Sequence, residues 1–470
     1  MVAGWVARWR ADPGAVVLLD PGGSVVTAGA LLDRSAAVAK GYAAAGVAPG
    51  DRVLLSAEPS VDLVVAYVAL LRLGAVVVPT NTAYTGPELA HLIADARPVL
   101  AVADRPERFT DCGLAALDPR TEPGGVDATA SPILDAAGPD DLAWLCYTSG
   151  TTGRPKGAML TQANLHAGAL AIVQAWQWDP HDRLILALPL FHMHGLGVGL
   201  NGALTAGSSV VVLPGFDVDA VFDARRAYGG TLFFGVPTMY AHLAASERVR
   251  ELAGFRLCVS GSAPLAQDLW ERLRAASGVE VLERYGMTET VMLCSNPVDG
   301  PRRPGSVGRP LPGIDLRLGD GDGVEVKGAS VFSGYWERPD ATAQAFTADG
   351  WFRTGDVGVW DEEGALRLVG RSSELVITGG YNVYPREVED AVREHSAVVD
   401  VAVVGLPDER WGEVVAAFVV VEGPRPSTTA LDAVAAARLA PYKRPRVWRF
   451  VEELPRNAMG KVQRDLLASS

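Results

Sequence analysis

Cysteine is scarce in this chain: four residues in 470, at Cys112, Cys146, Cys258 and Cys294, with no C-x-x-C pair among them. That excludes a disulfide framework or a thiolate metal site and fits reduced, buried thiols in a cytoplasmic protein. No run of 18 or more apolar residues occurs, so no membrane span is expected. The opening stretch MVAGWVARWRADPG carries arginine but no long apolar segment behind it, so no secretory signal is expected. Positive charge is in deficit as well: 42 Lys and Arg against 55 Asp and Glu give a net charge of −13. The acidic residues are scattered, so the imbalance serves solubility, and nucleic acid is excluded as the main partner. No repeat with a period of 20 to 50 residues is evident.

What the chain does have is apolar residues, 49% of the total, in a length that exceeds one ordinary domain. Its most unusual stretch is Tyr147 to Thr161, YTSGTTGRPKGAMLT, entered from the apolar Trp144-Leu145-Cys146. Glycines let the backbone approach an anion, successive N–H groups form a concave anion site, and the hydroxyls add donors. Lys156 supplies a point charge, so the stretch reads as a polyphosphate loop. It is not a Walker A loop, because Gly157 follows Lys156 where Ser or Thr is required.

Helical and strand patterns alternate on both sides of this loop. Helices are expected over 25–46, 59–74 and 86–96, the last with Thr85 as N-cap and Glu88 completing a capping box. Strands are expected over 51–56, 75–79, 98–103, 184–190, 210–214, 231–235, 257–260 and 279–282. The rhythm predicts an α/β fold with mostly parallel sheets and ligands at the carboxyl ends of strands. Near Arg371 to Ser373 the texture changes. The remaining hundred or so residues read as a separate α+β unit, with a helix at 385–395 and strands at 398–405 and 416–421.

Six motifs then appear in one order: the phosphate loop, LPLFHMHG, YGMTET, FRTGD, GRSSELVITGGYNVYPREVE and LPRNAMGK. Over Asp51 to Arg464 the chain resembles the adenylate-forming superfamily of acyl-CoA synthetases, adenylation domains and luciferases. GVPTMY, SGSAP, ERYGMTET, the SNP-DG segment and APYKRPR make it similar to the malonyl-CoA synthetase branch. The resemblance implies a large N-terminal domain of βα-layered sheets, 1–370, and a small mobile α+β domain, 371–470. It implies a carboxylate attacking the α-phosphorus of ATP to give acyl-AMP and pyrophosphate, then a thiol, usually that of CoA, displacing AMP.

The same resemblance implies residue roles. Thr148, Ser149, Gly150, Thr151, Thr152 and Lys156 hold the β- and γ-phosphates; Glu289 binds Mg²⁺; Thr288 reaches the α-phosphate. Gly261, Ser262, Ala263, Pro264 and Tyr285 frame adenine, and Asp356 and Arg371 take the ribose. Lys461 reaches from the small domain during adenylation, Gly379, Gly380 and Tyr381 serve the CoA step, and Ser373 stands at the hinge, where Asp or Lys is usual. His192, His194, His242 and Arg284 are the acyl-pocket candidates. Arg284 matches the malonate branch, whereas His242 stands where that branch has a second Arg. The acid is expected to be malonate-like, or a substituted or aryl acid that His242 admits. Two other readings are an adenylating enzyme whose acceptor is a carrier protein or another nucleophile, and a non-catalytic nucleotide-binding relative.

Overall fold

The computed structural model describes residues 1–120, 132–148, 155–457 and 460–469. By packing, the chain divides into two units, Met1–Asp315 with Val326–Phe352, and Leu316–Glu325 with Arg353–Ser470. This division falls earlier in the chain than the junction expected at 370/371. The strand Phe352–Trp360 pairs with Leu366–Arg371, so those residues group with the C-terminal part.

The first unit carries two large sheets. One has nine strands in the spatial order Arg309–Pro310, Cys294–Ser295, Leu282–Tyr285, Leu257–Ser260, Leu232–Gly235, Arg183–Leu186, Ser209–Val212, Val16–Leu19 and Val25–Thr27. Its central strands are parallel and its edges antiparallel. The other has seven strands in the order Gly334–Tyr335, Lys156–Thr161, Leu142–Thr148, Val76–Pro79, Arg52–Ser56, Leu100–Ala103 and Ala116–Leu117. Central strands such as VVVP and LAVA are apolar runs without alternation, as parallel strands covered on both faces require.

The helices form where capping and apolar content agree. Val61–Leu73 starts at Ser60, whose Oγ accepts from Leu63 N–H at 3.1 Å, and every residue from Leu63 to Leu73 is buried. Gly86–Ala96 carries the expected capping box, with Thr85 N–H donating to Glu88 Oε2 at 2.6 Å. A polar chain crosses the core beneath the site. Trp144 Nε1–H donates to Tyr67 Oη at 3.2 Å, and Tyr67 Oη donates to Asn201 Oδ1 at 2.8 Å. It ties the strand that enters the phosphate loop to the helices Val61–Leu73 and Asn201–Ala206.

The second unit takes most of a four-stranded sheet (Ile314–Leu318, Gly323–Gly328, Phe352–Trp360, Leu366–Arg371) and all of a five-stranded one. In the latter the long pair Val398–Asp408 and Gly412–Val421 is packed by Pro385–Arg393 and Thr428–Arg438, around a core of Val388, Val392, Val403, Val419 and Leu431. Among the described residues, no helix of either unit is long and apolar enough to cross a membrane.

Candidate active site

The expected phosphate residues flank a hairpin. Thr148 ends one strand, Lys156 begins the next, and the two are register partners. Ser149, Gly150, Thr151 and Thr152 lie outside the described residues. Thr148 Oγ1 donates to Glu289 Oε1 at 3.5 Å, and Tyr335 Oη donates to the same oxygen at 3.0 Å. Lys156 Nζ lies 5.4 Å from the centroid of the Tyr335 ring, within cation–π range. Glu289 is buried. Burial, with the Glu289 charge adding to it, raises the Tyr335 phenol, which stays a neutral donor. Thr288 is half-buried in a turn closed by Thr290 N–H to Met287 O at 3.1 Å. The chain leaves that turn through Val291 at φ 59°, a left-handed conformation that costs a β-branched residue roughly 1–2 kcal/mol. Gly168 makes room for it, since a Cβ there would lie 2.6 Å from the Val291 side chain.

Three of the four acyl-pocket candidates, His192, His194 and Arg284, lie near strand ends of the nine-stranded sheet, and His242 does not join them. His192 caps an eight-residue π-helix, Met193–Leu200, its Nδ1 accepting from His194 N–H at 3.4 Å. Such helices are rare and concentrate at functional sites. His194 is buried and shares a 3.2 Å hydrogen bond between Nδ1 and Ser262 Oγ. Ser262 adopts φ 69° to make that contact. Arg284, in the strand Leu282–Tyr285, is 7% exposed, and its Nε and Nη2 have no hydrogen-bond partner among the described residues. A Cβ on Gly261 would overlap the Arg284 guanidinium, so glycine lets the guanidinium lie where it does. Burial pushes the guanidinium down to about 9, which leaves it cationic at neutral pH. Burial, reinforced by Arg284, pushes His192 down to about 4 and His194 well below its ordinary value, so both rings are neutral.

Other expected residues fall differently. Tyr285 is the buried last residue of its strand, and Ala263 and Pro264 continue the loop from Ser262 with Pro264 exposed. His242 is exposed on the helix Pro237–Ala245, with its ring 6.3 Å from that of Phe216, and takes no part in the His194–Ser262 contact.

In the second unit Asp356 and Arg371 face each other across paired strands and form an ion pair at 3.0 Å. Lys461 is half-buried in a tight turn, with its N–H donating to Asn457 Oδ1 at 3.0 Å. The turn is anchored by Arg464, which pairs with Glu374 at 3.0 Å and Glu389 at 2.6 Å. Burial lowers the Lys461 ammonium and Arg371 adds to that, while Glu374 and Asp356 work against it. Gly379 packs against Trp411, and Tyr381 is exposed and stacked on Tyr442 at 4.7 Å. The Ser373 side chain lies outside the described residues.

Tyr335 is the site residue that sequence reasoning missed. The stretch FSGYWERPD carries Phe332, Tyr335 and Trp336; nothing in that pattern singles out the tyrosine, whereas its contact with Glu289 does.

Comparison with known proteins identifies the family. Residues 5–336 match the family of AMP-binding enzymes, and residues 387–461 match the AMP-binding enzyme C-terminal domain. The chain is 38% identical to the sulfoacetate–CoA ligase of Cupriavidus necator, over 99% of this chain and 96% of that one. It is 37% identical to the mouse mitochondrial malonate–CoA ligase ACSF3, over 88% and 80%. The indoleacetate–CoA ligase of Aromatoleum aromaticum also reaches 37%, over 93% and 90%, so identity alone does not choose the acid. The crystal structure of ATP-bound MatB from Rhodopseudomonas palustris superposes with a TM-score of 0.93 at 40% identity, covering 100% of this chain and 99% of that one. The chain therefore belongs to the AMP-binding enzyme family, as an AMP-forming acid–CoA ligase.

Proposed function

We propose that the acid is short and carries a second anionic group, as malonate does, and that CoA rather than a carrier protein accepts it. Arg284 carries this reading. A buried guanidinium with two nitrogens lacking partners is costly unless a ligand supplies the acceptor. The planar fork of arginine matches a carboxylate or sulfonate bidentately. His192 and His194 stay neutral beside it and can donate without adding charge. A neutral aryl or alkyl tail would leave the Arg284 donors unpaired.

In the first half-reaction Thr148, Ser149, Gly150, Thr151, Thr152 and Lys156 hold the β- and γ-phosphates, and Thr288 holds the α-phosphate. Tyr285 with the 261–264 loop frames the base, and Asp356 and Arg371 take the ribose. Mg²⁺ fits Glu289 and the Thr148 hydroxyl, which are hard oxygen donors. When bound, it neutralises charge on the phosphates. Lys461 stabilises the developing charge as the carboxylate attacks the α-phosphorus. The small domain then turns about 371–373, and Gly379, Gly380 and Tyr381 serve the thiol that displaces AMP. Free, buried Cys146, Cys258 and Cys294 suit a cytoplasmic setting.

The test is pyrophosphate release and thioester formation with ATP, Mg²⁺ and CoA across acetate, malonate, methylmalonate, sulfoacetate, benzoate and indoleacetate. Preference for malonate, methylmalonate or sulfoacetate is expected. Preference for acetate or an aryl acid overturns the acid assignment.

A further inference from the structure

Three elements converge on one phenol. The strand Gly334–Tyr335 pairs antiparallel with Lys156–Thr161, placing Tyr335 opposite Ala158, just past the phosphate loop. Its backbone is fixed on both sides. Tyr335 N–H donates to Thr342 Oγ1 at 2.9 Å, and Trp336 N–H donates to Gly157 O at 2.8 Å. Trp336 Nε1–H reaches Asp95 O at 3.3 Å, and Arg338 pairs with the Asp95 carboxylate at 2.5 Å. Phe332, whose ring meets that of Tyr335 at 4.9 Å, donates its N–H to Glu289 O at 2.7 Å. The segment thus grips both the backbone of Glu289 and the strand of Lys156. From this mount Tyr335 presents its hydroxyl to Glu289 Oε1 at 3.0 Å and its ring face to Lys156 Nζ at 5.4 Å.

We infer that Tyr335 is a positioning residue that sets the Glu289 carboxylate and the Lys156 ammonium together, so that metal and phosphates meet a prearranged pair. The inference rests on reading Glu289 as the metal carboxylate and Lys156 as the phosphate cation. A hydroxyl donor on one carboxylate oxygen fixes the plane of the group, and the ring face restrains a long lysine chain that otherwise has several rotamers. The competing explanation is packing alone, because Phe332, Phe346 and Phe352 make an aromatic cluster next to it.

Tyr335→Phe separates the two, since it keeps the ring and removes only the hydroxyl. The measurement is Mn²⁺ affinity, by electron paramagnetic resonance, of the full-length protein saturated with a β,γ-imido ATP analogue. It is made on wild type, Tyr335→Phe, Glu289→Gln and the double variant. Loss of a hydrogen bond to a charged group is expected to weaken Mn²⁺ by about tenfold, with KM for the acid and the melting temperature unchanged. In the Glu289→Gln background the same change is expected to have no further effect. Tyr335→Leu, which also removes the ring, is expected to raise KM for ATP as well. If Glu289→Gln weakens Mn²⁺ and Tyr335→Phe does not, the inference falls and the metal reading stands. If Glu289→Gln leaves Mn²⁺ affinity unchanged, the metal reading falls and takes the inference with it. Equal weakening of metal, acid and stability by Tyr335→Phe also overturns it, in favour of packing.

Discussion

The phosphate side and the acid side of the first unit follow opposite electrostatic plans. On the phosphate side the buried carboxylate of Glu289 already has partners, Tyr335 at 3.0 Å and Thr148 at 3.5 Å. On the acid side a buried cation, Arg284, and a buried neutral ring, His194, keep donor atoms without partners among the described residues. The difference teaches where each kind of selectivity comes from. A satisfied site presents fixed geometry to a cosubstrate that never changes. An unsatisfied site rejects any ligand that cannot supply the missing acceptor, and such rejection discriminates more strongly than apolar fit.

The comparison breaks most visibly with the residue proposed to act in adenylation itself. Lys461→Ala is expected to lower acyl-AMP formation by about 10²–10³-fold for every acid alike, while sparing thioester formation from supplied acyl-AMP. Isotope exchange between pyrophosphate and ATP, set beside thioester yield from synthetic acyl-AMP, checks this. Next in size is Arg284→Gln. It is expected to cost malonate about two orders of magnitude in kcat/KM and to leave acetate within about twofold. Loss with both acids would make Arg284 structural.

Gly261→Ala sharpens the point without touching charge. The added methyl displaces the guanidinium, and a loss of roughly tenfold in kcat/KM with malonate is expected, larger than the loss with acetate. The smallest effect is one of pH. His192, depressed to about 4 by burial and Arg284, binds its proton less readily folded than unfolded. Its contribution to stability is present above the unfolded value of about 6.5 and fades as pH falls toward 4. The melting temperature is therefore expected to hold steady from about pH 8 down to about 6.5 and to fall as pH drops from there toward 4, which a thermal-shift series across pH checks.

Much of this was legible in the sequence where local chemistry and fold agree. The Thr85–Glu88 capping box and the apolar central strands are local patterns, and the structure carries both. The strand expected at 279–282 lies instead at Leu282–Tyr285. Nothing local in LERY marks its glutamate as buried, yet Glu283 is buried, accepting from Gly305 N–H at 2.8 Å and Leu265 N–H at 3.3 Å. Those partners are distant in sequence, so no local pattern announces them. The π-helix Met193–Leu200 was equally invisible, because MHGLGVGL has neither a helical stripe nor a cap signal apart from His192. Within it a Cβ on Gly195 would lie 2.2 Å from Pro189 O, a backbone approach that only glycine allows.

The unpaired Arg284 also bears on how the enzyme behaves in a cell or a test tube. A buried cation awaiting an acceptor does not distinguish a substrate from any other small oxyanion that reaches it. On the proposed assignment of the acid, phosphate, sulfate and citrate are expected to compete for Arg284, so that the apparent KM for the acid would depend on the medium as well as on the protein.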